Sequence, residues 1–275
     1  AVVHRRRDAR ELARMLPAEG LYHLSALMCA KHRAEILDRI RDRLKAGATC
    51  RVVATQLVEA GVDVDLPVVY RALAGLDSLT QAAGRCNREG TLRNREGALI
   101  PGRFRVFRAP TRPPPGVLRR GLEVAESMLS RYGTALDIGD PATMDEYFRM
   151  LYAGSNLDHR SIQAERLALN FATVAERFHL IEDGFTCPVV VPWGDAAERV
   201  RAFSERPDRA SQRGLQPYLV QVHDRELTHL RQLGAVELLH ERVPVLVAPY
   251  LGLYDRVYGL VLEGEGAADP EALIG

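Results

Sequence analysis

Short apolar segments that alternate with helical patterns constrain the fold of this chain most strongly. The chain opens on AVV, and then come LYHLS at 21–25, CRVVA at 50–54 and PVVYRAL at 67–73, each short and apolar enough for a buried strand. Between the second and the third, KHRAEILDRIRDRLKAG repeats apolar residues at helical spacing. This alternation is typical of a parallel sheet flanked by helices. The sequence therefore predicts an α/β domain over residues 1–109, with RFRVFRA at 103–109 as its edge strand.

A proline-rich connector divides the chain. The segment PTRPPPG at 110–116 has four prolines in seven residues, which makes it stiff and extended. Three helical patterns follow it, the last from about Ser161 to Phe178, and then come strand-like runs such as CPVVVPW and VPVLVAP. We therefore predict a first domain at 1–109, a linker at 110–116 and a mixed α+β domain at 117–275.

Composition excludes several classes of protein. The chain is 47% hydrophobic and 27% charged, as soluble globular proteins are, and no apolar run is long enough to span a membrane. Its four cysteines are scattered without a C-x-x-C pair, so no zinc site is predicted, and reduced thiols fit a cytoplasmic protein. The chain starts inside an apolar run without Met, so we expect a further part of the protein to precede it.

Charge is distributed unevenly along the chain. Residues up to Arg108 hold 20 Lys and Arg against 12 Asp and Glu, whereas the remainder holds 17 against 24. A basic first part suits a polyanionic partner, although any solvated surface also carries charge. Only Lys31 and Lys45 are lysines, and neither completes the phosphate-binding pattern G-x-x-x-x-G-K-[ST]. Any phosphate chemistry here must therefore use another cradle.

An unusual polar stripe lies in QAAGRCNREG. Gln81, Arg85 and Arg88 are spaced by four and three residues, and they would share one stripe of a helix predicted over 78–89. Core stripes are normally apolar, and Gly84 beside this one lowers helix stability. The pattern favours presentation of positive charge to a phosphate. The alternative is a solvated helix face with ion pairs to neighbouring carboxylates.

The order of three stretches indicates a family. LYHLSALMCAKHR, TQLVEAGVDVD and SLTQAAGRCNREG follow one another in the order strand, Thr, acidic-Ala-Gly-x-Asp, strand, and Q-x-x-G-R-x-x-R. This order resembles the motifs of the second RecA-like domain of superfamily 2 helicases. It is most similar to the CRISPR-associated helicase-nuclease of type I interference systems, with subtype I-C as the nearest variant. The resemblance covers residues 1 to about 108, and it is far less specific beyond them.

The resemblance implies a composite ATP site between two RecA-like domains. ATP and Mg²⁺ would be bound mainly by the first domain, and Arg85 and Arg88 would face the γ-phosphate from the second. Such arginine fingers contribute about 10³- to 10⁵-fold in rate in GTPases. Gln81 would help to place the attacking water, as in DExH-type enzymes. The other nucleotide-contact residues that the resemblance implies are Gly61, Asp63 and Gly84.

Nucleic-acid contacts are expected at the strand ends. Thr55 and Gln56 follow a buried strand, where a hydroxyl and backbone amides suit phosphate oxygens. Thr55 could instead cap the short helix that follows it. Ser25 and Arg33 are weaker candidates for the same DNA strand. His4 and Arg5 stand where many relatives carry Asn and Thr, a departure that puts the usual hydroxyl contact in doubt.

The resemblance also implies partners. The whole enzyme would be recruited by a guide-RNA surveillance complex, move 3′ to 5′ on single-stranded DNA and cut with a metal-dependent nuclease domain. The first RecA-like and nuclease domains of the same protein are then partners of this chain, which we expect to hydrolyse no ATP alone. Two other interpretations stay open. The chain could be a standalone module that binds nucleic acid or protein, or it could belong to another DExH helicase.

Two further stretches resemble functional motifs. His223–Asp224 does not predict an HD nuclease, because that fold needs several His and Asp ligands from separate helices. Trp193 in VPWGD could stack on a base, but a lone Trp beside a proline is more often a packing residue.

Overall fold

The computed structural model describes residues 1–59, 62–153, 158, 160–178 and 186–262. The first part of the chain forms a parallel sheet with strands β1 (Leu21–Leu24), β2 (Arg51–Ala54), β3 (Val68–Ala72) and β4 (Arg103–Phe107). The helices of this part are α1 (Arg6–Met15), α2 (Ala30–Lys45) and α3 (Leu76–Ala83). The four predicted strands and the helix between β1 and β2 are therefore confirmed.

The first residues of the sequence form the centre of this sheet. β1 pairs with β2 and β3 pairs with β4, both in parallel register. Val2 joins the two pairs through parallel bridges to Ala54 and Arg71. Its N–H donates to Tyr70 O at 2.8 Å, and the N–H of Val3 donates to Ala54 O at 3.0 Å. The spatial order is thus β1, β2, the opening segment, β3 and β4, which is the predicted α/β architecture.

Helices cover both faces of the sheet, because neighbouring residues of a strand point to opposite faces. α1 buries Ala9 in a cluster with Val53. α2 buries Ile40 in a different cluster with Ala54. Both strand residues are buried because each lies under a helix, as the continuous apolar run of β2 requires.

The helix predicted over 78–89 is shorter than expected. α3 ends before Gly84, and the chain then pairs with Leu66, whose N–H donates to Arg85 O at 3.0 Å. The N–H of Asn87 donates back to Leu66 O at 2.9 Å, and Asn87 has a left-handed φ of 49°. These bonds replace the helical ones, so the predicted helical stripe of one glutamine and two arginines is wrong. Both arginines lie in a loop after the helix.

The helices after the proline-rich segment pack on the first sheet. They are α4 (Val117–Tyr132) and α5 (Pro141–Tyr152). Leu122 and Tyr147 share one buried cluster with Leu76 of α3. Tyr147 Oη also donates to Asp77 Oδ1 at 2.7 Å. Packing is continuous across 110–116, and the division of the chain into domains there stays a prediction.

The helix predicted from Ser161 to Phe178 is two helices. α6 (Ile162–Leu167) and α7 (Phe171–Arg177) are separated by Leu169, which has a left-handed φ of 61°. Asn170 ends the first helix, since its N–H donates to Glu165 O at 2.9 Å. Its side-chain amide donates to Glu165 Oε2 at 2.8 Å. Local capping by Asn therefore interrupts an otherwise helical pattern.

A second, mixed sheet follows. Its elements, with those that follow it, are β5 (Thr186–Val190), α8 (Ala196–Glu205), α9 (Arg209–Leu215), β6 (Leu219–His223), α10 (Asp224–Gln232), β7 (Val236–Leu239), β8 (Val243–Leu246), β9 (Tyr254–Asp255) and β10 (Gly259–Leu260). The sheet has the strand order β6, β5, β8 and β7, with β5 parallel to β8 and the other pairs antiparallel. β9 and β10 form a separate antiparallel hairpin.

No helix among the described residues is long and apolar enough to cross a membrane.

Candidate nucleotide and nucleic-acid site

Carboxylates of the loop before β3 fix the loop that carries Arg88. Asp65 accepts from the N–H of Arg88 at 2.7 Å and from the N–H of Glu89 at 3.2 Å. The Arg88 guanidinium forms an ion pair with Asp63 Oδ1 at 2.6 Å. The two paired side chains are 44% and 77% exposed, and an ion pair so exposed contributes at most about 1 kcal/mol. The backbone of Arg88 is therefore held firmly, whereas its charge can exchange Asp63 for another anion.

Arg85 is held more deeply than Arg88. It is half-buried, and its Nη2 donates to Glu59 O at 2.8 Å. Its Nε atom is buried and has no hydrogen-bond partner among the described residues. Gly61, another of the predicted nucleotide contacts, lies outside the described residues.

Gln81 and Gly84 are both exposed at the end of α3. Gly84 has an ordinary right-handed conformation with φ −64°. A Cβ added there would meet only the carbonyl oxygens of Gln81 and Thr80, at 3.4 and 3.5 Å. Nothing in the packing around it therefore requires a glycine.

The predicted nucleic-acid contacts Ser25 and Thr55 come together but are buried. They follow β1 and β2, and the N–H of Thr55 donates to Leu24 O at 3.2 Å. Thr55 is 0% exposed and Ser25 is 1% exposed. Ser25 Oγ has no hydrogen-bond partner in the described ranges, and neither has the buried Oε1 of Gln56. A nucleic acid cannot touch these side chains unless the surrounding residues move.

The same strand ends settle two smaller questions. The Thr55 side chain does not cap the short 3₁₀ helix Gln56–Val58, so the capping alternative has no hydrogen bond to support it. Arg33 lies in the first turn of α2, where its Nη1 donates to Met28 O at 2.5 Å. That bond ties Arg33 to its own segment and leaves the guanidinium half-buried.

A buried charge network beside the site was missed by the sequence analysis. Arg71 of β3 is 0% exposed, and its Nε lies 2.6 Å from Glu59 Oε1. Burial raises the pKa of Glu59, and the adjacent guanidinium opposes that shift. His4 extends the network, with Nε2 2.9 Å from Leu73 O and Nδ1 3.5 Å from Arg71. Burial lowers the pKa of His4 to about 4, so His4 is neutral and accepts from Arg71.

One sequence feature could have found this network. An arginine stands inside the apolar strand PVVYRAL, and a charge in a strand buried on both faces needs a partner. The partner follows the buried strand β2 as the acidic residue of TQLVEAG. The network anchors the residue whose carbonyl binds Arg85.

Of the two remaining motifs, one packs and the other caps a helix. Trp193 stacks on His32 with ring centroids 3.6 Å apart and planes 14° apart. His223 begins α10, and its Nδ1 accepts from the N–H of Arg225 at 3.4 Å. Within the described parts of the chain, no three His, Cys, Asp or Glu side chains are grouped to hold a metal ion.

Comparisons with known proteins agree with the motif order. Residues 2–91 match the family model described as CRISPR-associated nuclease/helicase Cas3, C-terminal. The CRISPR-associated nuclease/helicase Cas3 of Haloferax volcanii is 54% identical over 54 residues, which are 19% of this chain and 6% of that protein. The crystal structure of T. fusca Cas3 with AMPPNP gives a TM-score of 0.57 at 16% identity, covering 95% of this chain and 38% of that one.

A CRISPR RNA-guided surveillance complex, pre-nicking, contains a similar chain, with a TM-score of 0.52 at 16% identity and coverage of 89% and 36%. At such identities the structures show a shared fold alone. The chain spans little more than a third of the solved chains that it matches. Over residues 2–91 the chain is similar to the C-terminal family of the CRISPR-associated nuclease/helicase Cas3, in agreement with the resemblance of its motif order.

Proposed function

We propose that this chain supplies the second RecA-like and C-terminal regions of an ATP-dependent 3′–5′ DNA helicase-nuclease of type I CRISPR interference. The observation that carries the proposal is the Arg88 loop. Its backbone is fixed by Asp65, while its guanidinium is exposed on a single exchangeable carboxylate, Asp63. An arginine finger needs this combination of a fixed position and an available charge.

In the proposed cycle, Arg88 leaves Asp63 for the γ-phosphate of an ATP bound on the first RecA-like domain. Negative charge that develops on the phosphoryl oxygens then has a cation beside it. Arg85 supplies a second, more deeply held cation, and the exposed amide of Gln81 orients water. ATP is the substrate, and Mg²⁺ held by the first domain would supply further charge neutralisation. Gly84 allows the close approach, while Asp63 lines the nucleotide side of its loop, and Gly61, outside the described residues, is assigned to the same contact by the resemblance alone.

The proposed DNA contacts lie after β1 and β2. Thr55 and Gln56 follow β2, and Ser25 and Arg33 belong to the neighbouring segment after β1. We assign the phosphate contacts of a single DNA strand to these residues. Because the two hydroxyl side chains are buried, DNA binding must be coupled to a local rearrangement. That coupling is what an ATP-driven motor requires.

The remaining partners follow from the family. A protein of this kind acts in the cytoplasm, receives DNA at a guide-RNA surveillance complex and degrades it with its nuclease domain. The match of the fold to a chain in a surveillance complex supports this proposal.

The test is ATP hydrolysis stimulated by single-stranded DNA, for this chain alone and mixed with the first RecA-like and nuclease domains. We expect no hydrolysis alone, activity on mixing, and a loss of about 10³-fold or more with Arg88→Ala or Arg85→Ala. Arg105→Ala is the matched control, since Arg105 is an exposed arginine on the edge strand β4. It should leave the mixed activity unchanged.

Two outcomes would contradict the proposal. Hydrolysis by the chain alone that survives Arg88→Ala would show that the arginines do not complete a shared site. Silence in the mixture, with tight binding of DNA retained, would identify the chain as a standalone nucleic-acid-binding module.

A further inference from the structure

The segment 25–33 is covered by the C-terminal hairpin. This segment leads from the end of β1 into the first turn of α2 and contains two of the proposed DNA contacts. The N–H of Leu260 in β10 donates to Leu27 O at 2.8 Å. Gly259 makes this approach possible, because a Cβ at its position would overlap the carbonyl of Leu27. Leu27 and Cys29 are buried in the core of the second sheet rather than the first.

A chain of hydrogen bonds fixes the same segment from the side. The N–H of Cys29 donates to Tyr254 Oη at 3.0 Å, and that hydroxyl lies 3.0 Å from His32 Nδ1. His32 Nε2 lies 3.1 Å from Arg256 O. A backbone N–H only donates and a carbonyl only accepts, so a single set of protons fits. The Tyr254 proton points to Nδ1, and Nε2 carries the proton of a neutral imidazole.

Two further contacts close the other side. Trp193, which follows β5, stacks on His32 at 3.6 Å between ring centroids. Lys31 forms an ion pair with Asp195, and the same carboxylate accepts from Tyr218 Oη at 2.5 Å. Consecutive residues of the first turn of α2 are thus held by separate elements of the C-terminal region. The hairpin, the β5 loop and the residues before β6 all converge on this turn.

The held conformation is closed to DNA. Ser25, at the start of the segment, is 1% exposed and its Oγ has no hydrogen-bond partner in the part of the chain that the structure describes. A buried hydroxyl without a partner is unfavourable, so Ser25 gains when a phosphate oxygen reaches it. The contacts to the hairpin oppose that opening, because the segment must leave them in order to rearrange.

We propose that the Tyr254 hydroxyl is a latch on the segment 25–33: its hydrogen bonds to Cys29 and His32 hold the segment closed, and single-stranded DNA binds when the latch releases. The inference rests on the proposed function, since it takes the DNA contact of Ser25 and Arg33 from there. Tyr254 itself touches no DNA and is a positioning residue. Loss of its hydroxyl raises the open population by about five-fold or more, and apparent DNA affinity rises with that population.

The test compares Tyr254→Phe with Tyr147→Phe in the same chain. Tyr147 is a matched control, because its buried hydroxyl donates to Asp77 in a different cluster. Amide hydrogen exchange is measured for peptides covering 25–33, and binding of a fluorescent oligo(dT) is measured by anisotropy. We expect Tyr254→Phe to exchange about five-fold faster in this segment and to bind the oligonucleotide at least several-fold more tightly, with Tyr147→Phe like the wild type in both.

Three other results would each overturn part of the proposal. Unchanged exchange in Tyr254→Phe would overturn the latch. Faster exchange with equal or weaker DNA binding would overturn its control over DNA. A wild-type chain that binds no oligonucleotide, or binding that Arg33→Ala leaves unchanged, would refute the DNA contacts of the proposed function. Hydrogen exchange would still decide whether the hydroxyl holds the segment. Asp195→Asn, which removes a partly exposed ion pair at the same turn, should give a smaller increase in exchange and keeps the test open if Tyr254→Phe folds poorly.

Discussion

The parallel sheet of residues 1–109 and the mixed sheet of residues 186–262 use charged groups in opposite ways. The first sheet encloses the ion pair of Arg71 and Glu59 in its own interior. The second sheet places its charges at the boundary, where Glu226 meets Arg6 of α1 at 3.0 Å with both side chains largely buried. Buried charge in the first region thus anchors Glu59, whose carbonyl binds Arg85, whereas in the second it attaches the mixed sheet to α1.

The largest effect should follow from breaking the internal pair of the first sheet. Arg71→Ala leaves the Glu59 carboxylate buried without its cation, which should cost about 3–5 kcal/mol of the free energy of unfolding. Urea denaturation measures this loss. Arg88→Ala, at an exposed pair, should cost less than about 1 kcal/mol. Equal losses for the two variants would show that burial does not distinguish them.

The next largest loss of stability should follow from a substitution in the C-terminal hairpin, at Gly259. Gly259→Ala forces a side chain onto φ +77° and against the carbonyl of Leu27, which should cost about 2–3 kcal/mol. Gly252→Ala is the control, since its Cβ meets nothing within 4 Å. Urea denaturation and hydrogen exchange at residues 25–29 measure the effect. An alanine at 259 that is as stable as one at 252 would show that the hairpin is not pressed on this segment.

Acid should loosen the first region and its contacts with the C-terminal hairpin through three buried histidines. Burial lowers the pKa of His4, His23 and His32 to about 4, so the unfolded chain takes up protons that the folded chain refuses. Stability is then lost as pH falls from about 6.5 towards 4, by up to about 1.4 kcal/mol per pH unit for each histidine. Melting temperatures at pH 7, 6, 5 and 4.5 would test this. His32→Gln should flatten the profile in part, whereas a profile without slope above pH 4.5 would contradict the burial of all three.

Gly84→Ala should have the smallest effect on stability and yet abolish ATP hydrolysis by the mixed enzyme. Gly84→Ala fits the right-handed backbone there and should stabilise the fold by about 0.5 kcal/mol, since alanine restricts the unfolded chain. Gly47→Ala, at φ +62°, should destabilise it by about 1 kcal/mol. If Gly84 faces the nucleotide, its alanine variant abolishes hydrolysis in the mixed enzyme. Full activity would remove Gly84 from the proposed site.

The first sheet was predictable because buried parallel strands read as short apolar runs, and LYHLS, CRVVA and PVVYRAL are such runs. The end of α3 was not predictable, because it depends on pairing between Leu66 and the chain around Arg85. A local sequence pattern does not indicate a hydrogen-bond partner so far along the chain. The same holds for Arg71 and Glu59, since both charges were visible in the sequence but their contact was not.

The second region was harder to predict for a different reason. Its helices α8, α9 and α10 have ten, seven and nine residues, too few turns for a clear helical period. The contact of Tyr254 with His32 joins residues 222 positions apart. Motif order therefore predicted the candidate nucleotide residues, whereas the elements that hold the segment 25–33 emerged only from the fold.

The position of Val2 between β2 and β3 also has a consequence for how the chain folds. The ribosome releases this segment before either strand that flanks it, so the segment waits unpaired while β1, α2 and β2 are made. The sheet can close only after β3 emerges, and such distant pairings slow folding. Until then the half-sheet of β1, β2 and the opening segment presents an open edge, which is where intermolecular pairing starts. Expression at low temperature or with chaperones should therefore raise the yield of this chain more than its final stability would suggest.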